Sequence, residues 1–278
     1  MSAIQHIQIR EPATANLLVD SIDRTSGSSA NFTINLGQSI MNGFFHRIAV
    51  QEVIMDWCVD NISQTAGNNQ FSVQVVAIGS PTYTVTLDDG QYTVKQALDA
   101  LAVALNAAGT GLTWSIADVG SNKGLASTGS FLVFEGALQT QLNMKFGVPT
   151  ATNGAIEVNC PKLLPYTYVD IVSPLLTVNQ KVKDATTNNV VRDTLYRWYF
   201  AWDGPAPTDA YGYPIYQGYQ RFISRRLIPY PKKIRWESNM PIGQLQFQLY
   251  SSQGTLLTPA ETGNGELEWA MTLLVSED

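Results

Sequence analysis

The stretch that decides the fold is QLQFQLY, residues 244–250, within the longer segment WESNMPIGQLQFQLYSSQG (236–254). Glutamine occupies every second position from Gln244 to Gln248, and Leu or Phe fills the positions between. A period of two is typical of a strand with one buried face and one face toward solvent. The segment therefore predicts a half-buried strand whose outer face is polar but uncharged.

Short runs of similar character fill most of the chain and are separated by Gly, Pro, Asn and Asp. The predicted strands are residues 30–36, 46–57, 71–79, 83–93, 112–119, 130–136, 167–173, 195–202, 232–237, 244–250 and 267–275. Many short strands with turn residues between them favour an antiparallel sandwich or barrel. Strands and helices do not alternate regularly, which argues against a parallel sheet.

One segment, TVKQALDALAVALNAAG (93–109), departs from the strand pattern and predicts a helix. Thr93 and Gln96 have the spacing of a capping box. Apolar residues recur at helical spacing, at Ala97, Leu98, Leu101, Ala102 and Leu105. A weaker pattern over residues 137–147 predicts a second helix. The predicted fold class is therefore all-β with one or two short helices.

The composition is poor in charge. Charged residues make up 14% of the 278 residues, against roughly 25% in typical soluble domains. Such a surface suits contact with other copies or partners, because interface cores avoid charge. A β protein rich in Ser, Thr, Asn and Gln has the same composition, so both interpretations stay open. The net charge of −6 argues against nucleic-acid binding by bulk electrostatics.

The sequence contains no pattern that predicts catalysis, a cofactor or a metal site. His6 and His46 have no neighbours at metal-ligand spacing, and Cys58 and Cys160 make no disulfide framework. Asp88-Asp89-Gly90 reads as a turn. The sequence shows no signal peptide and no run of 18 apolar residues. It therefore predicts a protein that is made in the cell without a signal peptide and that has no membrane span.

A basic cluster lies in RFISRRLIPYPKKIR (221–235). It holds six of the 17 basic residues and no acid: Arg221, Arg225, Arg226, Lys232, Lys233 and Arg235. We expect these side chains at an interface with acidic neighbours, on an inner face, or at a solvated strand edge. Contact with nucleic acid is the weaker alternative.

A loop rich in aromatic residues, WDGPAPTDAYGYPIYQGY (202–219), follows a predicted strand, and we call it the tyrosine loop. Its tyrosines are amphipathic and stiff, which suits recognition of a partner; they are Tyr211, Tyr213, Tyr216 and Tyr219. The alternative is a loop folded over the sandwich and fixed there by its rings.

Four segments together resemble a known family, in order along the chain from about residue 30. They are YTVTLDDGQYTVKQALDALAVALN (83–106), TYVDIVSPLLTVNQKVKD (167–184), IRWESNMPIGQLQFQLYSSQGTLL (234–257) and LEWAMTLLVSED (267–278). These motifs are similar to those of the penton-type minor capsid proteins of virophages and polinton-like DNA viruses.

The resemblance implies a single jelly roll of about eight antiparallel core strands with elaborated loops. It places the domain at residues 21–278, with a helix-bearing connection at about 81–150 and the loop 202–219 at one end of the sandwich. Residues 1–20 are expected to form an N-terminal arm. Five copies would close an icosahedral vertex of the virion beside a neighbouring major capsid protein. The family is structural, so no catalytic residue is implied.

Two other classes remain as alternatives. Aromatic loops also suit sugars, so a β-sandwich carbohydrate-binding protein or a phage-type adhesin fits the pattern. A β-sandwich hydrolase would need a pair of carboxylates with perturbed pKa values in a cleft, and the spacing selects no such pair. Pentameric rings would favour the vertex protein, whereas trimers or monomers that bind glycans would favour the adhesin.

Overall fold

A computed structural model gives the fold of most of the chain. The described residues are 13–35, 37, 45, 47–76, 80–163, 166–177, 182–183, 191–192, 194–200, 208–213, 222–229, 231, 233–235, 243–258 and 267–277. The side chains of residues 182–183, 191–192 and 222–226 are outside this description.

Two antiparallel sheets form a sandwich, with five strands each in the described residues. Sheet A has the order β1 (Thr14–Asp20), β18 (Trp269–Ser276), β4 (Arg47–Trp57) and β15 (Phe222–Leu227), and β16 (Ile234–Arg235) also pairs with β4. Sheet B has the order β14 (Thr194–Tyr199), β11 (Tyr168–Val172), β17 (Gln244–Ser251), β3 (Asn31–Asn35) and β2 (Ser26–Ser28). A 3-10 turn, Ser21–Asp23, links β1 to β2.

The sandwich core follows from the alternation in its strands. In β17, Leu245, Phe247 and Leu249 are buried, whereas the glutamines between them are exposed or half-buried. The ring of Phe247 lies 5.5 Å from that of Phe32 on β3 and 5.8 Å from that of Trp269 on β18, so the two sheets meet through aromatic contacts. The predicted strand and the all-β class are confirmed.

A second hydrophobic core lies in the connection between β4 and β11, residues 60–163, which we call the insertion. One sheet of the insertion has the order β6 (Thr82–Thr86), β5 (Gln70–Val75), β9 (Phe131–Val133), and the other has the order β10 (Ala155–Glu157), β8 (Asn122–Ser127), β7 (Trp114–Val119). It also carries helices α1 (Val94–Ala107) and α2 (Ala137–Gln141). The connection expected at 81–150 is thus longer and has a core of its own. Strands β12 (Val182–Lys183) and β13 (Val191–Arg192) lie between β11 and β14 in sequence and form a separate two-stranded sheet.

Helix α1 begins as the sequence predicts. The backbone N–H of Gln96 donates to Thr93 Oγ1 at 3.2 Å. In return, the backbone N–H of Thr93 donates to the side-chain oxygen Oε1 of Gln96 at 2.8 Å. Gly109 follows the helix with a φ of +68°, a conformation that glycine adopts without strain. Helix α2 is shorter than the predicted 137–147, because the chain turns at Asn143 with a φ of 49°.

The insertion and the tyrosine loop leave the sandwich from the same end, which we call the insertion end. Trp57 at the end of β4 pairs with Phe222 at the start of β15. Tyr168 at the start of β11 pairs with Tyr199 at the end of β14. The connections from β4 to β11 and from β14 to β15 therefore both lie at this end.

The segment predicted as an N-terminal arm is partly a strand. Strand β1 pairs with β18 along its whole length, from Thr14 opposite Ser276 to Asp20 opposite Ala270. Residues 14–20 therefore belong to sheet A, because their backbone groups complete the ladder of β18 and Val19 enters the core. Residues 1–12 lie outside the described chain.

Candidate functional site

The outer surface of sheet B is polar and uncharged along β17 and β3. Gln246 lies opposite Thr33, and Gln248 lies opposite Asn31. The amide of Gln248 donates to Asn31 Oδ1 at 3.4 Å, and Tyr250 donates through its hydroxyl to Gln248 Oε1 at 3.4 Å. We call this surface, Asn31, Thr33, Gln246, Gln248 and Tyr250, the amide face.

The amide face ends at an ion pair that is neutral as a unit. Asp170 lies opposite Tyr250 on one side and Arg197 on the other. Arg197 donates from Nε and Nη2 to the two carboxylate oxygens at 2.6 and 2.8 Å, and its guanidinium lies 3.8 Å from the centre of the Tyr168 ring. The bond to Asp170 raises the pKa of Arg197 despite partial burial. The fully buried Asp170 carboxylate is thus compensated within the chain.

The structure distributes the basic cluster along the sandwich instead of gathering it at one point. Arg225 and Arg226 lie in the middle of β15, opposite Ile54 and Val53, and their side chains are not described. Arg221 and Lys232 lie outside the described residues. The cluster's expected role at an interface stays a prediction.

The remaining members of the basic cluster lie at the end of the sandwich opposite the insertion. Arg235 pairs with Arg47 at the start of β4, and Lys233 is two residues away. All three residues are exposed. This end also carries Ser276 at the end of β18, opposite Arg47.

The described part of the tyrosine loop, residues 208–213, is fixed to the insertion. Asp209 Oδ1 accepts hydrogen bonds from the backbone N–H groups of Tyr211 and Tyr213. Tyr213 is buried in the insertion core, where its hydroxyl donates to the Val158 carbonyl at 2.9 Å and accepts from the Lys123 N–H at 3.0 Å. Burial raises the pKa of Tyr213. This part of the loop is folded over the protein, so Tyr213 is not accessible to a partner.

Tyr211 is half-buried between two lysines. The ammonium groups of Lys95 and Lys123 lie 5.7 and 5.1 Å from its ring centre, which is within the range of cation–π attraction. Tyr216 and Tyr219 are outside the described residues. A partner contact through Tyr211, Tyr216 or Tyr219 stays a prediction.

A cleft of about 650 Å³ separates the insertion from the sandwich. Asp60, the turn 63–68 and the region of α2 form one wall, and the turn after β17 forms the other. We call it the hydroxyl cleft, because most of the described side chains that line it are polar and several are hydroxyls: Asp60, Ser63, Thr65, Asn68, Thr140, Gln141, Gln253, Thr255 and Thr258. Sequence reasoning missed this site, because its residues come from distant segments and carry no shared motif.

Among the described residues that line the hydroxyl cleft, Asp60 is the one that carries a charge. Burial raises the pKa of its carboxyl group, and the nearby Asp89 raises it further. A raised pKa in the folded state means that folding favours the protonated carboxyl. Asp60 therefore supports stability most below its ordinary pKa of 3.8, and this support is lost as the pH rises through the folded-state value.

Replacement of Asp60 with Asn should therefore stabilise the protein at pH 7 and not below pH 3. The amide resembles the protonated acid, and the partly exposed site limits the gain to about 1–2 °C in melting temperature. Thermal unfolding of both proteins across this pH range measures the difference. An equal difference at both pH values would show that the ionisation of Asp60 is not the cause.

The described residues carry neither a metal site nor a membrane-spanning helix. No group of three or more His, Cys, Asp or Glu side chains there could hold a metal ion. Neither helix in that part of the chain is long and apolar enough to cross a membrane. Cys58 is buried and Cys160 is exposed, and no disulfide joins them.

Comparison with known proteins gives a structural likeness. No protein-family model matches the sequence, and no curated protein matches it. The crystal structure of the mavirus penton protein is similar at a TM-score of 0.53 and 10% identity, covering 96% of this chain and 99% of that chain. The chain has the fold of the mavirus penton protein. This agrees with the jelly roll that the sequence resemblance implied.

A chain in the cryo-EM structure of the Sputnik virophage is also similar. Its TM-score is 0.48 and its identity 12%, covering 97% of this chain and 99% of that chain.

Proposed function

We propose that the protein is a penton subunit, five copies of which close each vertex of an icosahedral virion beside a major capsid protein. The observation that carries this proposal is the likeness to the mavirus penton protein over almost the whole of both chains. The likeness includes the insertion as well as the sandwich, because 96% of this chain is covered.

The chemistry of the amide face supports contact between copies. A closed ring of five subunits repeats one contact five times, so any unpaired charge in that contact would also be repeated. Neutral amides and hydroxyls can enter such a contact without the desolvation penalty of a charge. The Asp170–Arg197 pair is already compensated within the subunit. We therefore assign the amide face to the contact between neighbouring subunits.

The two ends of the sandwich differ in a way that supports one orientation in the shell. The exposed residues Arg47, Lys233 and Arg235 lie at the end opposite the insertion. In our proposal this basic end faces the interior, where acidic polymers are packaged, and the insertion end faces outward.

The mass of the purified protein in solution tests the assembly proposal. Native mass spectrometry over a concentration series should show a five-subunit species whose fraction rises with concentration. A stable trimer would contradict the proposal and favour the adhesin.

Negative charge on the amide face should weaken the pentamer. The double variant Gln244→Glu/Gln246→Glu places one carboxylate on that face and a second beside it, at the exposed position 244 of the same strand side. Leaving even one of them without a partner costs about 1–3 kcal/mol. We expect at least a tenfold loss in the association constant, measured by native mass spectrometry. Thr84→Glu/Thr86→Glu on exposed positions of β6 is the matched control, with unchanged association. Equal association of all three proteins would exclude the amide face as the contact.

A further inference from the structure

We propose that the hydroxyl cleft is a binding site for a neutral oligosaccharide. The proposal concerns one subunit and applies whether the protein is a monomer or a ring. Its basis is the shape of the cleft, the absence of cationic side chains from the described part of its lining, and the hydrogen-bonding groups on its two walls.

The position and size of the cleft suit a small ligand. Its volume of about 650 Å³ lies within the roughly 300–1,000 Å³ of typical ligand sites, which often lie where two structural units meet. One wall belongs to the insertion and the other to the sandwich, and the buried Tyr166 also lines the cleft. A bound ligand would therefore contact both units.

The charge of the lining selects against anions. The 14 lining residues that the structure describes include no Lys, Arg or His, and Asp60 is the one carboxylate among these 14. A phosphate, a nucleic-acid backbone or an acidic peptide would find no cation there and would be repelled by Asp60. The lining therefore favours a ligand without negative charge.

The hydrogen-bonding groups on both walls match a polyhydroxylated ligand. Threonine hydroxyls and glutamine amides both donate and accept, as sugar hydroxyls do. Thr140 Oγ1 donates to the Gly136 carbonyl at 2.8 Å, which leaves its oxygen as an acceptor toward the cleft. Gln141 Oε1 accepts from Asn68 Nδ2 at 3.0 Å, which orients the amide and leaves its NH₂ group as a donor.

Asp60 adds a strong acceptor for hydroxyl groups. Its carboxylate loses hydration through burial, which raises its pKa. Hydroxyl donors from a ligand would replace the lost water, and a bond to an ionised acceptor is stronger than one between neutral groups. A single carboxylate among neutral donors and acceptors therefore suits a sugar better than it suits a fully apolar ligand.

A glycan array probed with the full-length protein tests the proposal. The array carries neutral glucose, galactose and N-acetylglucosamine oligomers, sialylated glycans and heparin fragments. Neutral oligomers should be retained, and isothermal titration with the strongest of them should give a saturable affinity. Retention of none of the neutral oligomers, or of sialylated glycans and heparin alone, would overturn the proposal.

Two neighbouring substitutions locate the binding site. Thr65→Arg places a long cation in the cleft, whereas Gln64→Arg adds the same charge to the adjacent exposed residue, which does not line it. Thr65→Arg should weaken neutral-glycan binding at least tenfold and Gln64→Arg should not. Asp60→Asn should weaken it several-fold without loss of folding. Equal glycan binding by the two arginine variants would place the binding site elsewhere. If a basic or neutral peptide binds and displaces every glycan, the cleft would instead be a site for a protein partner.

Discussion

Deletion of residues 267–278 is expected to leave the chain unable to fold. These residues contain β18, which lies between β1 and β4 in sheet A. Its removal would leave β1 without its partner strand and would expose the ladder edge of β4. Both strands that flank β18, namely β1 and β4, therefore lose backbone hydrogen bonds. Buried backbone groups that are left unpaired are costly.

The apolar contribution of β18 is comparable to the stability of a whole domain. Its inward side chains are all at most 2% exposed: Trp269, Met271, Leu273 and Val275. Burial of one such side chain contributes about 1.5–3 kcal/mol, so the four contribute roughly 6–12 kcal/mol. Typical domains are stable by only about 5–15 kcal/mol. The truncated chain should therefore remain unfolded or aggregate.

The measurement is the soluble fraction after expression, followed by circular dichroism melting of any soluble material. A shorter truncation after Ser276 is the control. It retains all of β18 and loses only Glu277 and Asp278, of which Glu277 bonds to the backbone of Ala13. The control should stay soluble and melt cooperatively. A cooperative melt of the longer truncation would show that the sandwich does not depend on β18.

The local sequence pattern predicted those elements whose conformation depends little on contacts with distant segments. Helix α1 carries its own cap at Thr93 and Gln96 and its own apolar stripe, so residues 93–109 predicted it closely. Strand β17 has strict alternation, and the structure buries the face that this alternation predicts. The glutamines of this strand also predicted the uncharged outer face of sheet B.

Pattern failed where tertiary packing decides the conformation. Strand β8 has the sequence NKGLAS, which lacks the β-branched residues typical of strands. It forms because β7 and β10 pair with it on both sides. Gly124 permits the approach of β10, since a Cβ there would lie 2.3 Å from the Ile156 carbonyl oxygen. No property of the six residues alone indicates this pairing.

Two further elements of sheet A were missed for different reasons. Strand β1 pairs with a strand some 250 residues away, so residues 14–20 looked like an arm when read alone. Strand β15 lies inside the basic cluster, where adjacent arginines interrupt the apolar alternation that would mark FISRRL as a strand. The hydroxyl cleft was hidden because segments far apart in sequence form its walls.

Replacement of Arg197 with Met is the second change expected to have a large effect. Asp170 would stay in β11 with no exposed surface and would lose both bonds from the guanidinium. Removal of one partner from a buried ion pair costs about 3–5 kcal/mol. Arg197 keeps 26% of its side chain exposed, so water can reach part of the site, and we expect about 3 kcal/mol.

Urea unfolding measures this loss, and two further variants identify its cause. Lys95→Met breaks the exposed pair with Asp99, whose side chains are 42% and 46% exposed, and should leave the stability almost unchanged, because exposed ion pairs contribute little. The double variant Asp170→Leu/Arg197→Met removes both charges and should recover most of the stability, because apolar pairs of similar volume replace buried ion pairs well. If the double variant is no more stable than Arg197→Met, the uncompensated carboxylate is not the cause. The loss would then come from the packing of the Arg197 side chain on Tyr168, which methionine reproduces only in part.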